Sequence, residues 1–373
     1  MASILSIEER FNLITRRLPA EDVHGAELIK AALETKGKTL KCLWAHIGYF
    51  VPLLKFVDFL EAGVEVVVLL LDVYSFLDNV KYPMEQVLQR MHYYKFTIMA
   101  ALEAIGIPSS RVRFVQESTY QTNLEFISDQ WRLCTLVPQQ AVRDAWDRSY
   151  NPNILSPMLC PGLQTLAEEH LGVDIQFGGE DQARIFAFAE RYLPQLGYER
   201  RAHIMNPMLP NCLGEKMSSS SPPNTKIMIL DSPDAVTKKI SEADDRGNNV
   251  AENGVLASLR DILIPISELR LERLQGRDPA EALPDQQPFC SRDAPEGTVF
   301  TVETGGGNGR GYKHYKSYKE IEQDLAENEL SHFALNMAIA DAFNQLLDPI
   351  HKAYGESKEW QEVDMLGYPD ISA

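Results

Sequence analysis

The sequence predicts an α/β protein: a doubly wound, mostly parallel sheet followed by a smaller, mainly helical domain. Three observations carry that prediction. Residues 64–71 are a β-branched and aliphatic run too apolar for a strand with one wet face, the pattern of a central strand in a parallel sheet. Short apolar runs alternate with helical periodicities through the first 230 residues, which is βαβα order. Beyond Leu230 the strand-like runs stop and helical ones continue.

Taken in order, 7–14 and 20–35 read as two polar, amphipathic helices, the second stopped by Gly37. A short strand is expected over 40–44 and a helix over 49–60, ended by Gly63, before the apolar strand 64–71. A long helix follows over 83–105, stopped by Gly106 and Pro108, then a strand over 112–115 and helices over 119–136 and 139–148. After Pro157 come a helix over 162–171, a strand over 173–177, a helix over 181–193 and a last short strand over 203–205. Helices over 232–242, 254–262, 318–327 and 331–354 make the second part, with a loop-rich stretch over 277–312 that holds Gly305-Gly306-Gly307. The expected domains are therefore 1–230 and 231–373.

A chain of 373 residues with 45% hydrophobic and 24% charged content has enough apolar material for two packed domains. No apolar run approaches the length of a membrane span, and the N-terminus has no signal-peptide pattern, so a cytoplasmic protein without a membrane partner is expected. Five cysteines (Cys42, Cys134, Cys160, Cys212, Cys290) are odd in number and scattered, against a disulfide framework or a zinc cluster; no metal site is expected. The net charge of −17 is uneven: residues 231–373 carry 14 basic and 27 acidic groups, −13, leaving −4 on the rest. Such a balance repels a polyanion at long range unless basic groups gather on one face.

Three short segments carry chemistry. His46-Ile47-Gly48-Tyr49 follows the first strand and opens a helix, where an imidazole and free helix amides face a phosphate. Gly178-Gly179-Glu180-Asp181-Gln182 follows a later strand; the glycines permit close backbone approach and Asp181 suits ribose hydroxyls. Gly214-Glu215-Lys216-Met217-Ser218-Ser219-Ser220-Ser221 follows a third, with a lysine for a polyphosphate and small hydroxyl residues beside it. Taken alone, that last run fits a solvated linker as well as a phosphate grip, and a lone histidine or glycine pair also fits a packed residue or a turn.

With those residues quoted, the chain resembles the eukaryotic-type tyrosyl-tRNA synthetases, which are class I aminoacyl-tRNA synthetases. Residues 46–49 match the family's HIGH motif and 216–220 its KMSKS motif, in the form Lys-Met-Ser-Ser-Ser. Further matching stretches are Tyr49-Phe50-Val51-Pro52, Pro161-Gly162-Leu163-Gln164, Gln176-Phe177-Gly178-Gly179, Met205-Asn206-Pro207-Met208 and Leu346-Leu347-Asp348-Pro349-Ile350. The resemblance spans nearly the whole chain. It implies a Rossmann-type, adenylate-forming catalytic domain over 1–230, a helical anticodon-binding-like domain over 231–373, and a homodimer. The substrates it implies are an amino acid and ATP, with Mg²⁺ accompanying ATP, and tRNA as acceptor. His46 and Lys216 then carry catalytic charge, Gly48, Gly178, Gly179 and Asp181 face the nucleotide, and Ser218, Ser219 and Ser220 order a lid over the triphosphate. An amino-acid carboxylate attacks the α-phosphorus in line, so positioning and charge stabilisation do the catalysis.

The chain departs from the family at the amino-acid pocket. The family has a Gly/Thr-rich turn with a proline between the first strand and HIGH, preceded by a tyrosine that contacts the substrate phenol. Here Leu40-Lys41-Cys42-Leu43-Trp44 runs through Ala45 into His46, and Leu43 stands at the tyrosine position. At the positions of the family's Tyr, Gln and Asp on one helix stand Cys160, Gln164 and Ala167. Gln164 and Gln182 keep part of an α-amino site, while both phenol-binding groups are gone. A site built to bind a hydroxyl rejects the analogue lacking it by ~10⁴–10⁵, and a site without such groups does not discriminate. Fewer lysines also stand on the tRNA side: 141–148 reads Ala-Val-Arg-Asp-Ala-Trp-Asp-Arg, and 237–245 reads Thr-Lys-Lys-Ile-Ser-Glu-Ala-Asp-Asp, so tRNA binding is expected to be weak. Three readings stay open: a tyrosyl-tRNA synthetase-like enzyme, a repurposed paralogue that activates another acid for a small-molecule acceptor, and a non-catalytic scaffold.

Overall fold

The computed structural model of the chain describes residues 5–35, 40–44, 50–79, 82–146, 154–212, 222–243, 253–274, 286–305 and 310–369. The chain forms two compact units, one of Met1–Ile98, Pro108–Pro207 and Lys358–Ala373, the other of Met99–Ile107 and Met208–Ser357. Through the first unit the elements run α1 (Ile7–Thr15), β1 (Val23–His24), α2 (Ala26–Glu34), β2 (Lys41–Trp44), α3 (Phe50–Glu61), β3 (Glu65–Leu70), α4 (Val73–Asn79), α5 (Met84–Ala104), β4 (Val112–Gln116), α6 (Ser118–Gln121), α7 (Leu124–Leu136), α8 (Gln139–Ala145), α9 (Cys160–His170), β5 (Ile175–Gly179), α10 (Ala183–Leu196) and β6 (Ala202–Asn206). The second unit has α11 (Pro233–Ser241), α12 (Gly254–Ser258), α13 (Ile264–Leu274), β7 (Phe300–Gly305), β8 (Arg310–Tyr315), α14 (Tyr318–Ala326) and α15 (His332–Glu356). A last helix, α16 (Lys358–Gly367), belongs to the first unit again.

The sheet of the first unit has the order β1-β6-β5-β2-β3-β4, parallel throughout except for the antiparallel edge strand β1. β3, the run expected at its centre, is buried at every residue after Glu65. α3 covers the sheet with Phe56 and Phe59 fully buried, and Phe59 meets Phe177 of β5 edge to face at 5.4 Å. α1 starts on a capping box in which Ser6 and Glu9 satisfy each other's backbone N–H. Beneath it Asp58, fully buried, accepts hydrogen bonds from Arg16, Arg17 and Lys55, so its charge is neutralised where it is desolvated.

α4, α13 and α16 stand where no helix is expected from the sequence, and three expected stretches take another form. The stretch 20–35 is interrupted at Gly25, whose φ of +76° ends the backbone turn that carries β1 and starts α2. The stretch 119–136 is two helices, parted at Thr122 and Asn123. The loop-rich 277–312 contains β7 and the start of β8, an antiparallel hairpin registered Phe300↔Tyr315 to Gly305↔Arg310. Phe300 and Val302 are buried while Glu303 is exposed, a period-2 pattern that the neighbouring glycines hide in the sequence. Elsewhere in the second unit, Asn253 caps α12 by accepting from the N–H groups of Val255 and Leu256, and a π-helical turn over Leu259–Leu263 joins α12 to α13. A Cβ at Gly254 would stand 2.0 Å from the carbonyl oxygen of Asn211, so that cap tolerates no side chain.

A buried ion pair ties α9 to β6. His203 Nε2 lies 2.8 Å from Glu168 Oε1, both side chains fully buried, and His203 Nδ1 lies 3.2 Å from Glu190 Oε1. Burial opposes the imidazolium, but the two glutamates outweigh it and hold His203 up at about 9. Its folded pKa stands above the ordinary 6.5, so its contribution to stability is fully present below pH 6.5 and is lost as pH rises through 9. Urea midpoints measured from pH 6 to 9.5 are expected to fall across that window in the wild type, and His203→Gln is expected to remove most of the slope.

Candidate active site

β2 is flanked by β3 on one side and β5 on the other, so the chain reverses its winding direction between β2 and β5. In a doubly wound sheet the crevice at the carboxyl ends of those two strands is where ligands bind. α9 crosses this face. Its Gln164, Ala167 and Glu168 share one helical side, and they meet Gln176 on β5, Leu43 on β2 and His203 on β6 respectively.

The polar part of the crevice is a chain of amides. Gln164 Nε2 donates to Gln176 Oε1 at 3.1 Å and to Gln182 Oε1 at 3.2 Å, and Gln182 Nε2 donates to Asp181 Oδ2 at 3.0 Å. Asp181 is exposed at one end of the chain, and Gln176 is 1% exposed at the other. Gln176 Nε2 has no hydrogen-bond partner among the described residues. Gly178 and Gly179 end β5 beside it, both buried. A Cβ at Gly178 would lie 2.9 Å from Gln182 Cγ and 3.1 Å from the Phe186 ring, so this glycine lets the Gln182 turn close on the strand.

The apolar part is closed. Leu43 and Ala167 are both fully buried in one cluster with Val67, Leu69 and Val173, against which Leu71, Val115, Tyr120 and Leu171 pack. Cys160, also fully buried, sits at the start of α9 with its Sγ 3.9 Å from the Tyr74 carbonyl oxygen, and burial pushes its thiol up, far from thiolate chemistry. Thus Leu43, Cys160, Gln164, Ala167, Gly178, Gly179, Asp181 and Gln182 gather at one end of one sheet. His46, Gly48, Lys216, Ser218, Ser219 and Ser220 lie outside the described residues.

Two acids at the same end of the sheet escape a sequence reading. Asp72 follows β3 and Glu117 follows β4; they are 1% and 0% exposed. Asp72 accepts from the N–H groups of Val73 and Ser118, and Glu117 Oε2 accepts from the Tyr74 N–H at 2.8 Å, so each acid serves the start of the helix after the other's strand. An acid just after an apolar run was the available signal. In the second unit several cations are already neutralised: Lys239 Nζ pairs with Asp231 at 2.6 Å and Lys313 Nζ with Asp324 at 2.7 Å. No group of three His, Cys, Asp or Glu among the described residues is placed to hold a metal ion.

The family described as tRNA synthetases class I (W and Y) matches residues 44–348. The Saccharomyces cerevisiae protein named "Tyrosine--tRNA ligase, cytoplasmic" is 40% identical over 380 residues, which cover 99% of this chain and 90% of that one. The Danio rerio protein of the same name is 38% identical over 382 residues, and the chain spans 65% of its length. Among solved structures, the tyrosyl-tRNA synthetase of Archaeoglobus fulgidus complexed with L-tyrosine superposes with a TM-score of 0.73 at 27% identity, covering 94% of this chain and 99% of that one.

The tightness at Gly178 is testable. Gly178→Ala is expected to destabilise the protein by roughly 1–3 kcal/mol in urea unfolding, the usual cost of overpacking. A change below about 0.5 kcal/mol would mean that Gln182 and Phe186 move aside freely.

Proposed function

Because the chain belongs to the class I tRNA synthetases (W and Y), and within them to the tyrosine--tRNA ligases, we propose that it activates an amino acid with ATP as an aminoacyl-adenylate and passes the acyl group to tRNA. The observation that supports this most is the amide chain from Asp181 through Gln182 and Gln164 to Gln176, set at the carboxyl ends of the strands where winding reverses. It offers donors and acceptors for an α-amino acid beside two glycines and a carboxylate suited to a nucleotide. His46 and Lys216 stabilise the charge that develops on the phosphates, Gly48, Gly178, Gly179 and Asp181 hold adenosine, and Ser218, Ser219 and Ser220 order the loop over the triphosphate, which brings Mg²⁺ with it. The first unit carries the catalytic role and the second the anticodon-binding-like one, with Met208–Leu230 in the second and Lys358–Ala373 in the first.

One observation favours a different acid from tyrosine. The position where the family binds the phenol is occupied by Leu43 and Ala167 within a cluster of buried aliphatic residues. A hydroxyl placed there without a partner costs about 1–3 kcal/mol. The acceptor reading has a similar qualification: the second part of the chain carries 14 basic against 27 acidic groups, and Lys239 and Lys313 are paired to Asp231 and Asp324. A second copy of the chain suits the outer side of the first unit, where Leu124 (73%), Trp131 (63%) and Leu136 (42%) of α7 are exposed.

Amino-acid-dependent ATP–pyrophosphate exchange tests the reading. Exchange with at least one amino acid is expected, and Lys216→Ala is expected to lower its kcat about 10²–10³-fold, as loss of a transition-state charge contact does. Exchange that survives Lys216→Ala unchanged removes that loop from the mechanism, and exchange with tyrosine at ordinary efficiency removes the objection raised by Leu43 and Ala167. For the dimer, sedimentation of the wild type is expected to give twice the chain mass, and Trp131→Glu is expected to shift it toward the monomer.

A further inference from the structure

His203 of β6 is shared by two helices. Its Nε2 lies 2.8 Å from Glu168 Oε1 on α9, and its Nδ1 lies 3.2 Å from Glu190 Oε1 on α10. Phe186 of α10 stacks on the ring at 4.6 Å, and the register of the sheet sets His24 of β1 on one side of His203 and the neutral Gln176 of β5 on the other. His24 Nδ1 lies 3.4 Å from the same Glu190 oxygen, and Arg200 pairs with Glu190 Oε2 at 3.3 Å. Glu168 is served more narrowly. Its Oε2 is buried without a hydrogen-bond partner among the described residues, which leaves the His203 contact to hold the carboxylate.

An imidazolium donates from both ring nitrogens, whereas a neutral imidazole has one N–H to give. Only the protonated ring can therefore bond Glu168 and Glu190 at the same time. Burial works against that proton, but the two carboxylates outweigh it and hold it up to about 9. The same two helices carry the amide chain of the crevice. Gln164 stands one turn before Glu168 on α9, and Gln182 immediately precedes α10. Gln164 Nε2 donates to Gln182 Oε1 at 3.2 Å and to Gln176 Oε1 at 3.1 Å, and Gln176 is the neighbour of His203 across β5 and β6. One row of the sheet thus ties α9 down at two adjacent points, by an ion pair at β6 and an amide at β5, and the ion pair is shared with α10.

We propose that His203, as an imidazolium, is a positioning residue for the adenylation site: its two N–H groups set the spacing of α9 and α10, and through it the separation of Gln164 from Gln182. It touches no reactant. The inference rests on the adenylation reading above and adds to it a link between one buried proton and the affinity for the acid. When the proton leaves, one glutamate loses its donor, one helix loses its tie to β6, and the two amides no longer keep their separation. Affinity for the acid is therefore full below the pH at which the ring titrates and falls above it.

The test uses the full chain and pyrophosphate exchange, with the amino acid it activates best, from pH 6.5 to 9.5. In the wild type KM for the acid is expected to rise roughly three- to tenfold across that range, the effect of one lost hydrogen bond, with kcat within about threefold. The acid's own ammonium also loses its proton in alkaline solution, so Glu190→Gln is the deciding variant. Its amide oxygen still accepts from Nδ1 but the charge is gone, so the imidazolium is held less firmly and the rise in KM is expected to begin about one pH unit lower. His203→Gln is expected to show the raised KM already at pH 6.5. A wild-type KM that stays flat with pH overturns the proposal. So does a rise that begins at the same pH in Glu190→Gln, which assigns it to the substrate, and so does a loss confined to kcat and melting temperature, which marks a merely structural pair. Should His203→Gln not fold, Glu190→Gln carries the test by itself, with the same outcomes overturning it. Absence of exchange with every amino acid removes the adenylation reading and this role with it, whereas exchange with an unshifted Glu190→Gln profile removes the role alone.

Discussion

The arrangement of the first unit depends on the Glu168–His203 pair. Both side chains are wholly buried at 2.8 Å, and moving His203 away would leave Glu168 a lone charge in a medium that solvates it poorly. That pair fixes the rotation of α9 over β6. Gln164, one turn earlier, then falls on Gln176 of β5, and Ala167 on Leu43 of β2. One helical side is thus pinned to three neighbouring strands by an ion pair, an amide bond and an apolar contact. The start of α9, with Cys160, follows by rigidity to the carboxyl ends of the strands.

From that constraint the crevice acquires two unlike halves. On the β5 side, amides pass hydrogen bonds from the surface at Asp181 inward to Gln176. On the β2 side, Leu43, Val67, Leu69, Ala167 and Val173 form a buried aliphatic cluster. On the far side, beyond β3, Asp72 and Glu117 are buried with no Lys, Arg or His ion-pair partner among the described residues.

Much of this was legible in the amino-acid sequence. The strand at 64–71 announces itself by β-branched residues on both faces, and β3 occupies all but its ends. The long helix expected over 83–105 is α5, Met84–Ala104, because Gly106 and Pro108 can end a helix but not extend it. What stayed hidden is set by distant partners. β1 has two residues and exists because Val23 and His24 pair with Ile204 and His203, far along the chain. The β7–β8 hairpin has its strand periodicity interrupted by a glycine run. Gln164 and Gln182 were found through their spacing to known motifs, whereas Glu117 has meaning only beside Tyr74, a residue contributed by another strand–helix connection. Local pattern reports elements; the charges that oppose one another across elements appear only once the sheet is assembled.

The return of α16 to the first unit has a consequence for how the protein is made. Trp360 is 2% exposed and stacks on Phe96 at 6.0 Å, and the Gly367 carbonyl accepts from Gln86 and Arg90, both on α5. α5 is translated some 270 residues before the helix that covers it, which at ~5–20 residues per second is a delay of tens of seconds. During that interval the aromatic side of α5, with Tyr93 and Phe96, is an exposed apolar surface on a nascent chain. The fold therefore closes last at its own beginning, and the ribosome, not the sheet, sets the time at which the first unit becomes complete.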